Sequence, residues 1–264
     1  MTSAAPVYEN LLFEQSGPIA RITLNRPDAA NGMNDTLLSE LADAAKRCDV
    51  PGVKAVILTG AGRFFSAGGD LKAVAASPER PGRYIKGIAD DLHQAISTFA
   101  RMDAVLITTV NGVAAGAGFS LAVSGDLVLA SSSASFTMAY TRAGLSPDGG
   151  ASYYLPRLVG IRRTQELMLT NRKLSAQDAA DWGLVNEVID GADLAARADE
   201  LATQIAAGSG TSQAAVKKLL LTTFDNGLEV QMELEARLIG ANADAPDGRE
   251  GIDAFLTKRA PKFA

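Results

Sequence analysis

Asp148 stands in the run Pro147-Asp148-Gly149-Gly150. A carboxylate set between proline and two glycines is either the tip of a turn or an acid/base side chain held out into a cavity. Two glycine-rich corners could form that cavity. Val110 to Ser120, V-N-G-V-A-A-G-A-G-F-S, joins an apolar run to a helix-like segment, and Gly112, Gly116 and Gly118 remove side chains where a ligand can approach the backbone. Unpaired N–H groups entering a helix can hold developing negative charge, as on a carbonyl oxygen that becomes an oxyanion. The plain alternative is a tightly packed strand-to-helix corner. Ala67-Gly68-Gly69-Asp70 is a second place where bare backbone can face a ligand, with Asp70 itself read as a helix cap rather than a catalyst. His93 lies beside an apolar helical stripe, a setting that suits a surface or core histidine better than a base.

These residues need elements to position them. Ile19 to Leu24 alternates like a strand, and N-R-P-D-A-A-N-G-M-N after it is turn chemistry. Asn34 is placed to cap a helix carrying Leu37, Leu38, Leu41, Ala45 and Cys48 on one face. Val53 to Leu58 reads as a strand buried on both faces, as in a parallel sheet. Ser77 to Arg83 is expected to be a polar loop, followed by an amphipathic helix over Ala89 to Met102 and strands at Val105 to Val110 and Asp126 to Ala130. Arg162 to Thr170 is a further helix, and Ser175 and Asp178 form a capping box for another that stops at Trp182-Gly183. From about Asp193 the pattern is helical throughout. The expected organisation is an α/β core over residues 1–200 and a helical oligomerisation region over 201–264.

Bulk properties narrow the function. A 264-residue chain of net charge −5 has no basic excess for nucleic acid. One cysteine, Cys48, excludes an internal disulfide and suits a reducing compartment, so a cytoplasmic enzyme is expected; one histidine excludes a multi-histidine metal site. The start, M-T-S-A-A-P-V-Y-E-N, lacks the basic and apolar regions of a signal peptide. Ala104 to Gly125 is uncharged and long enough to span a bilayer, but Asn111 and the glycines break it into strand, loop and helix. Gly60 and Gly62 begin a dinucleotide fingerprint that Phe65 interrupts, and Gly118-Phe119-Ser120-Leu121-Ala122 lacks the final glycine of a hydrolase elbow.

The motifs I-T-L-N-R-P, V-I-L-T-G-A-G-R-F-F-S-A-G-G-D-L, V-N-G-V-A-A-G-A-G, G-L-S-P-D-G-G-A-S-Y-Y-L-P-R-L-V-G, D-W-G-L-V and R-E-G-I-D-A-F-L-T-K-R-A-P-K-F follow one another over nearly the whole chain. In this order they resemble the crotonase superfamily, the enoyl-CoA hydratase/isomerase family. The resemblance implies a spiral of ββα units with a C-terminal helical trimerisation region, assembled as a homotrimer or dimer of trimers. It implies an acyl-CoA thioester substrate, with coenzyme A as part of the substrate and no separate cofactor or metal, and an enolate held by the backbone N–H groups of Gly69 and Ala117. Ala67, Asp70, Phe255 and Lys258 match coenzyme A-contacting positions, the last two often supplied by a neighbouring subunit. The two glutamates by which hydratases deliver water align with Ser120 and Tyr140, neither of which can replace a carboxylate near neutral pH. Asp148 falls where the isomerase branch related to phenylacetyl-CoA catabolism has its catalytic aspartate. The expected activity is therefore double-bond isomerisation with Asp148 as acid and base. The alternatives are a hydratase with atypical residues, an aryl-CoA dehalogenase-like hydrolase using Asp148 and His93, and a coenzyme A-binding protein without turnover.

Overall fold

Short apolar runs broken by glycine turns produce strands in pairs, each pair followed by helix. β1 (Leu11–Ser16) and β2 (Ile19–Leu24) form a hairpin, after which Asn34 accepts the Leu37 amide at 2.9 Å and starts α1 (Asp35–Cys48). β3 (Ala55–Gly60), β4 (Phe64–Ser66), α2 (Leu71–Ala76) and α3 (Pro81–Arg101) make one turn of the chain. The next turn comprises β5 (Val105–Val110), β6 (Val113–Ala115) and α4 (Ala117–Ala122). β7 (Leu127–Ser131), β8 (Ser135–Thr137) and α5 (Ala151–Thr170) repeat the pattern, followed by β9 (Leu174–Ser175), α6 (Ala176–Asp181) and β10 (Glu187–Ile189). The chain then continues as α7 (Leu194–Ala206), α8 (Gly210–Thr222), α9 (Leu228–Asp244) and α10 (Pro246–Leu256). The computed structural model describes residues 7–264; most of the N-terminal stretch read above for a signal peptide lies outside them.

β1, β2 and the first strand of each later pair enter a sheet of order β1-β2-β3-β5-β7-β10, and the second strands of the later pairs enter a smaller one of order β4-β6-β8-β9. Parallel pairings run β2-β3-β5-β7-β10 in the first sheet and β4-β6-β8 in the second, so the chain winds as the expected spiral of ββα units. β5 is buried along its whole length, between the core on one side and α7 on the other. Ala198 and Ala202 of α7 meet Ile57 and Ile107 of the sheet. The helix therefore straddles residue 200 and packs on the core. In the core Phe65, Phe99, Phe119 and Phe136 are fully buried, each worth roughly 1.5–3 kcal/mol of apolar transfer.

One expectation needs correction. The 77–83 loop ends early: Pro81 occupies the first position of α3, where its fixed φ suits a helix start and its missing N–H costs nothing, so only Ser77 to Arg80 link α2 and α3. The helix expected over Arg162 to Thr170 forms, and a further helical segment from Ala151 precedes it, the two being separated by a kink at Gly160, where φ is 78°. The Ser175/Asp178 capping box forms as read, with both reciprocal bonds present. Among the described residues no helix is long and apolar enough to cross a membrane.

Candidate active site

The two glycine-rich corners pack against each other. Gly68 has φ 91°, and a Cβ there would lie 2.7 Å from the Ala115 carbonyl oxygen and 3.2 Å from the Ala117 nitrogen. Only glycine permits that approach.

Most amides lining the two corners are engaged, and those of Gly69 and Ala117 are not. Ala67 N donates to Ala30 O at 3.0 Å, Gly68 N to the Ser66 hydroxyl at 3.1 Å and Asp70 N to Met33 O at 2.9 Å. The parallel bridge between Met33 and Gly69 uses the Gly68 carbonyl and the Asp70 amide, which turns the Gly69 N–H away from it. On the other corner Gly116 N donates to Thr137 O at 3.0 Å, while Ala117, the first residue of α4, has an amide that the helix cannot use. Among the described residues neither Gly69 N–H nor Ala117 N–H has an acceptor. A main-chain donor left unpaired this way needs a ligand or water as its partner.

Both residues line a cavity of about 360 Å³ that also exposes Ala67, Tyr140 and Asp148. Its apolar wall is one face of α3, with Ile85, Ile88, Ala89 and Leu92 at helical spacing, completed by Leu38 and Val74. Asp148 is the only carboxylate among the lining residues. Another cavity of about 500 Å³, bounded by Cys48, Lys54, Gly210 and Ala264, contains none of the expected site residues.

Asp148 is held by a hydrogen-bonded chain. The Tyr140 hydroxyl donates to Asp148 Oδ1 at 2.6 Å, and Ser120 Oγ lies 2.9 Å from the Tyr140 oxygen. Burial, reinforced by the neighbouring Asp148 charge, pushes the Tyr140 phenol well above its ordinary value. Tyrosine therefore keeps its one proton and gives it to Asp148, so the shorter bond of fully buried Ser120 has its hydroxyl donating to Tyr140, with the Gly116 carbonyl oxygen a longer contact at 3.4 Å. Asp148 Oδ2 has no hydrogen-bond partner among the described residues. Gly149, at φ 59°, completes the turn; a Cβ on it would sit 2.8 Å from Ser120 Cβ. The Gly149 amide donates to His93 Nε2 at 3.1 Å, so that nitrogen's lone pair is already engaged.

The remaining candidates lie elsewhere. Asp70 caps α2 by accepting the Lys72 and Ala73 amides, both at 3.1 Å, and pairs with Arg26 at 2.9 Å. Burial works to raise its carboxyl, but the Ala73 amide and the Arg26 guanidinium outweigh it and hold the group below its ordinary range. His93 and Ser120 stand behind the cavity rather than in its wall. Phe255 is 83% exposed and Lys258 is exposed beyond the end of α10; neither reaches this chain's own cavity. Sequence reading missed the bond that joins Tyr140 to Asp148 and the support given by Asn31, whose side-chain amide donates to the carbonyls of Ala61 and Phe64 and anchors the approach to Gly69. Asn31 sits in the turn-rich N-R-P-D-A-A-N-G stretch, which is the one signal that marked its neighbourhood. Among the described residues no three His, Cys, Asp or Glu side chains converge as metal ligands.

Comparison with known proteins matches residues 14–264 to the family described as enoyl-CoA hydratase/isomerase. The 1,2-epoxyphenylacetyl-CoA isomerase of Escherichia coli is 38% identical over 269 residues, covering 97% of this chain and 99% of that protein. A 4-chlorobenzoyl coenzyme A dehalogenase of Arthrobacter is 34% identical, covering 94% of this chain and 91% of its own length. Among solved structures, an enoyl-CoA hydratase from Bacillus anthracis superposes with a TM-score of 0.90 at 29% identity, over 97% of this chain and 99% of that one.

Proposed function

Because the chain belongs to the enoyl-CoA hydratase/isomerase family, we propose that it binds an acyl-CoA thioester and moves a carbon–carbon double bond, with Asp148 as both acid and base. The observation that carries this reading is the convergence in one cavity of two unpaired amides and a single carboxylate with one free oxygen. The thioester carbonyl accepts from Gly69 N–H and Ala117 N–H. Asp148 Oδ2 takes a proton from the carbon beside it, the carbonyl oxygen becomes the oxyanion those amides hold, and Oδ2 returns the proton two carbons away. Preorganised donors aimed at an oxygen that gains charge only during reaction lower the barrier selectively. The apolar α3 wall accommodates the acyl chain.

Other chemistries in this family need groups that are committed here. Adding water calls for a second carboxylate, and Ser120 is instead bonded to Tyr140, and Tyr140 to Asp148. Halide displacement through Asp148 calls for a base at His93, and its Nε2 accepts the Gly149 amide. The 34% identity to a dehalogenase keeps 4-halobenzoyl-CoA in the test. A panel of 2-enoyl-, 3-enoyl- and aryl-CoA esters with product identification decides among them: interconversion of 2-enoyl and 3-enoyl esters is expected, and hydration or halide release as the dominant reaction overturns the proposal. A non-catalytic binder gives no product from any ester.

The proposal includes a homotrimer or dimer of trimers. α9 buries no residue within the chain, and its Leu228, Val230, Met232 and Ile239 are exposed. In such an assembly Phe255 and Lys258 contact coenzyme A in a neighbour's cavity. Sedimentation at working concentration is expected to give three or six chains, and a monomer contradicts this part.

A further inference from the structure

We propose that Tyr140, oriented by Ser120, is a positioning residue that sets which oxygen of Asp148 reacts and how far it stands from the oxyanion donors; this rests on the isomerase reading above. Ser120 lies on α4, the six-residue helix whose first amide is Ala117. The bonds Ser120 to Tyr140, 2.9 Å, and Tyr140 to Asp148, 2.6 Å, therefore tie the base to the element that carries one oxyanion donor. Gly149 seals the same junction by sitting against Ser120 with no room for a side chain.

The reaction makes use of such a tie. When Oδ2 removes the α-proton, the C–H electron pair moves into the bond toward the thioester carbon and the carbonyl pair moves onto oxygen. The proton then passes from Oδ2 to the γ-carbon, the dienolate pair forms the new C–H bond, and the carbonyl is restored. Between the two steps the carboxyl group must hold one proton without turning. The Tyr140 bond to Oδ1 blocks that rotation and leaves Oδ2 as the only oxygen free to shuttle. Tyr140 gives up no proton in either step.

Tyr140→Phe, Ser120→Ala and the double variant are compared with wild type for melting temperature, KM and the pH profile of kcat on the best 3-enoyl-CoA ester. Tyr140→Phe is expected to leave KM within about threefold, to lower kcat by about 10–100-fold and to move the acid limb of the kcat profile up by about one to two pH units, as loss of a hydrogen bond to a charged group requires. Ser120→Ala is expected to shift the limb in the same direction by less, and the double variant to be no worse than Tyr140→Phe, because Ser120 acts through Tyr140. Should Tyr140→Phe fail to fold, the direction of the Ser120→Ala shift decides alone. An acid limb that stays in place in a folded, active variant, or effects that simply add, overturns the positioning role. Wild-type isomerase activity on the same ester separates that outcome from failure of the isomerase reading, which would show as no isomerisation by the wild type.

Discussion

Replacing Ala117 with proline deletes one proposed oxyanion donor while leaving the fold little changed. Ala117 is the first residue of α4, so its N–H closes no helical bond, and among the described residues it has no other acceptor. Proline is favoured at that helical position, and Gly116 before it has no Cβ to meet the ring, so the cost to folding is expected to stay within about 1 kcal/mol. The catalytic loss is of another size. One preorganised donor contributes about 3 kcal/mol to stabilising the charged oxygen, which corresponds to about 150-fold in kcat. The proline Cδ also takes the place of the amide hydrogen and crowds the bound carbonyl oxygen, so KM is expected to rise alongside the fall in kcat. Steady-state kinetics on Ala117→Pro, with thermal melting as the control, gives both numbers. A folded variant whose kcat stays within about threefold of wild type refutes the assignment of Ala117 as a donor.

Three further outcomes are expected. His93→Gln, which can keep an acceptor facing the Gly149 amide, should retain kcat within about fivefold, whereas a base activating water would lose about 100-fold or more when replaced. Asp70 is held below its ordinary carboxyl range, so its bonds to α2 and Arg26 stabilise the fold above the unfolded-state value near 3.8 and lose that contribution as pH falls through the lower folded value. The melting-temperature gap between wild type and Asp70→Asn should accordingly be widest near neutral pH and shrink in acid. Burial pushes the Cys48 thiol up to about 12, so in the native protein at neutral pH it should resist alkylation and react only after denaturation, as thiol titration with and without denaturant will reveal.

Much of the framework was legible in the residues, for reasons that are local or periodic. Asn34 before an apolar-periodic run caps α1, Ser175 and Asp178 box α6, and the unbroken apolar run before Gly60 becomes a strand covered on both faces. The small sheet was not legible, because β4, β6 and β8 have three residues each and too few alternations to declare a period. Pro81 and Gly82 disguised the start of α3 as loop, although proline is favoured there once the helix exists. At the site, glycine content marked both corners, but which amides stay unpaired depends on the bridge from Met33 to Gly69, 36 positions along. The Ser120–Tyr140–Asp148 chain joins residues 20 and 8 positions apart through a fold that no spacing rule encodes. Phe255 and Lys258 had a motif but no cavity of their own chain to enter.

The central claim is that Asp148 moves the proton. Wild type and Asp148→Asn incubated with a 3-enoyl-CoA ester in deuterated solvent, with exchange at the α-carbon followed by mass spectrometry, test it most directly. The wild type is expected to incorporate α-deuterium and the variant to lose at least about 100-fold in that rate, the scale of one general base. Exchange by Asp148→Asn at the wild-type rate would contradict it.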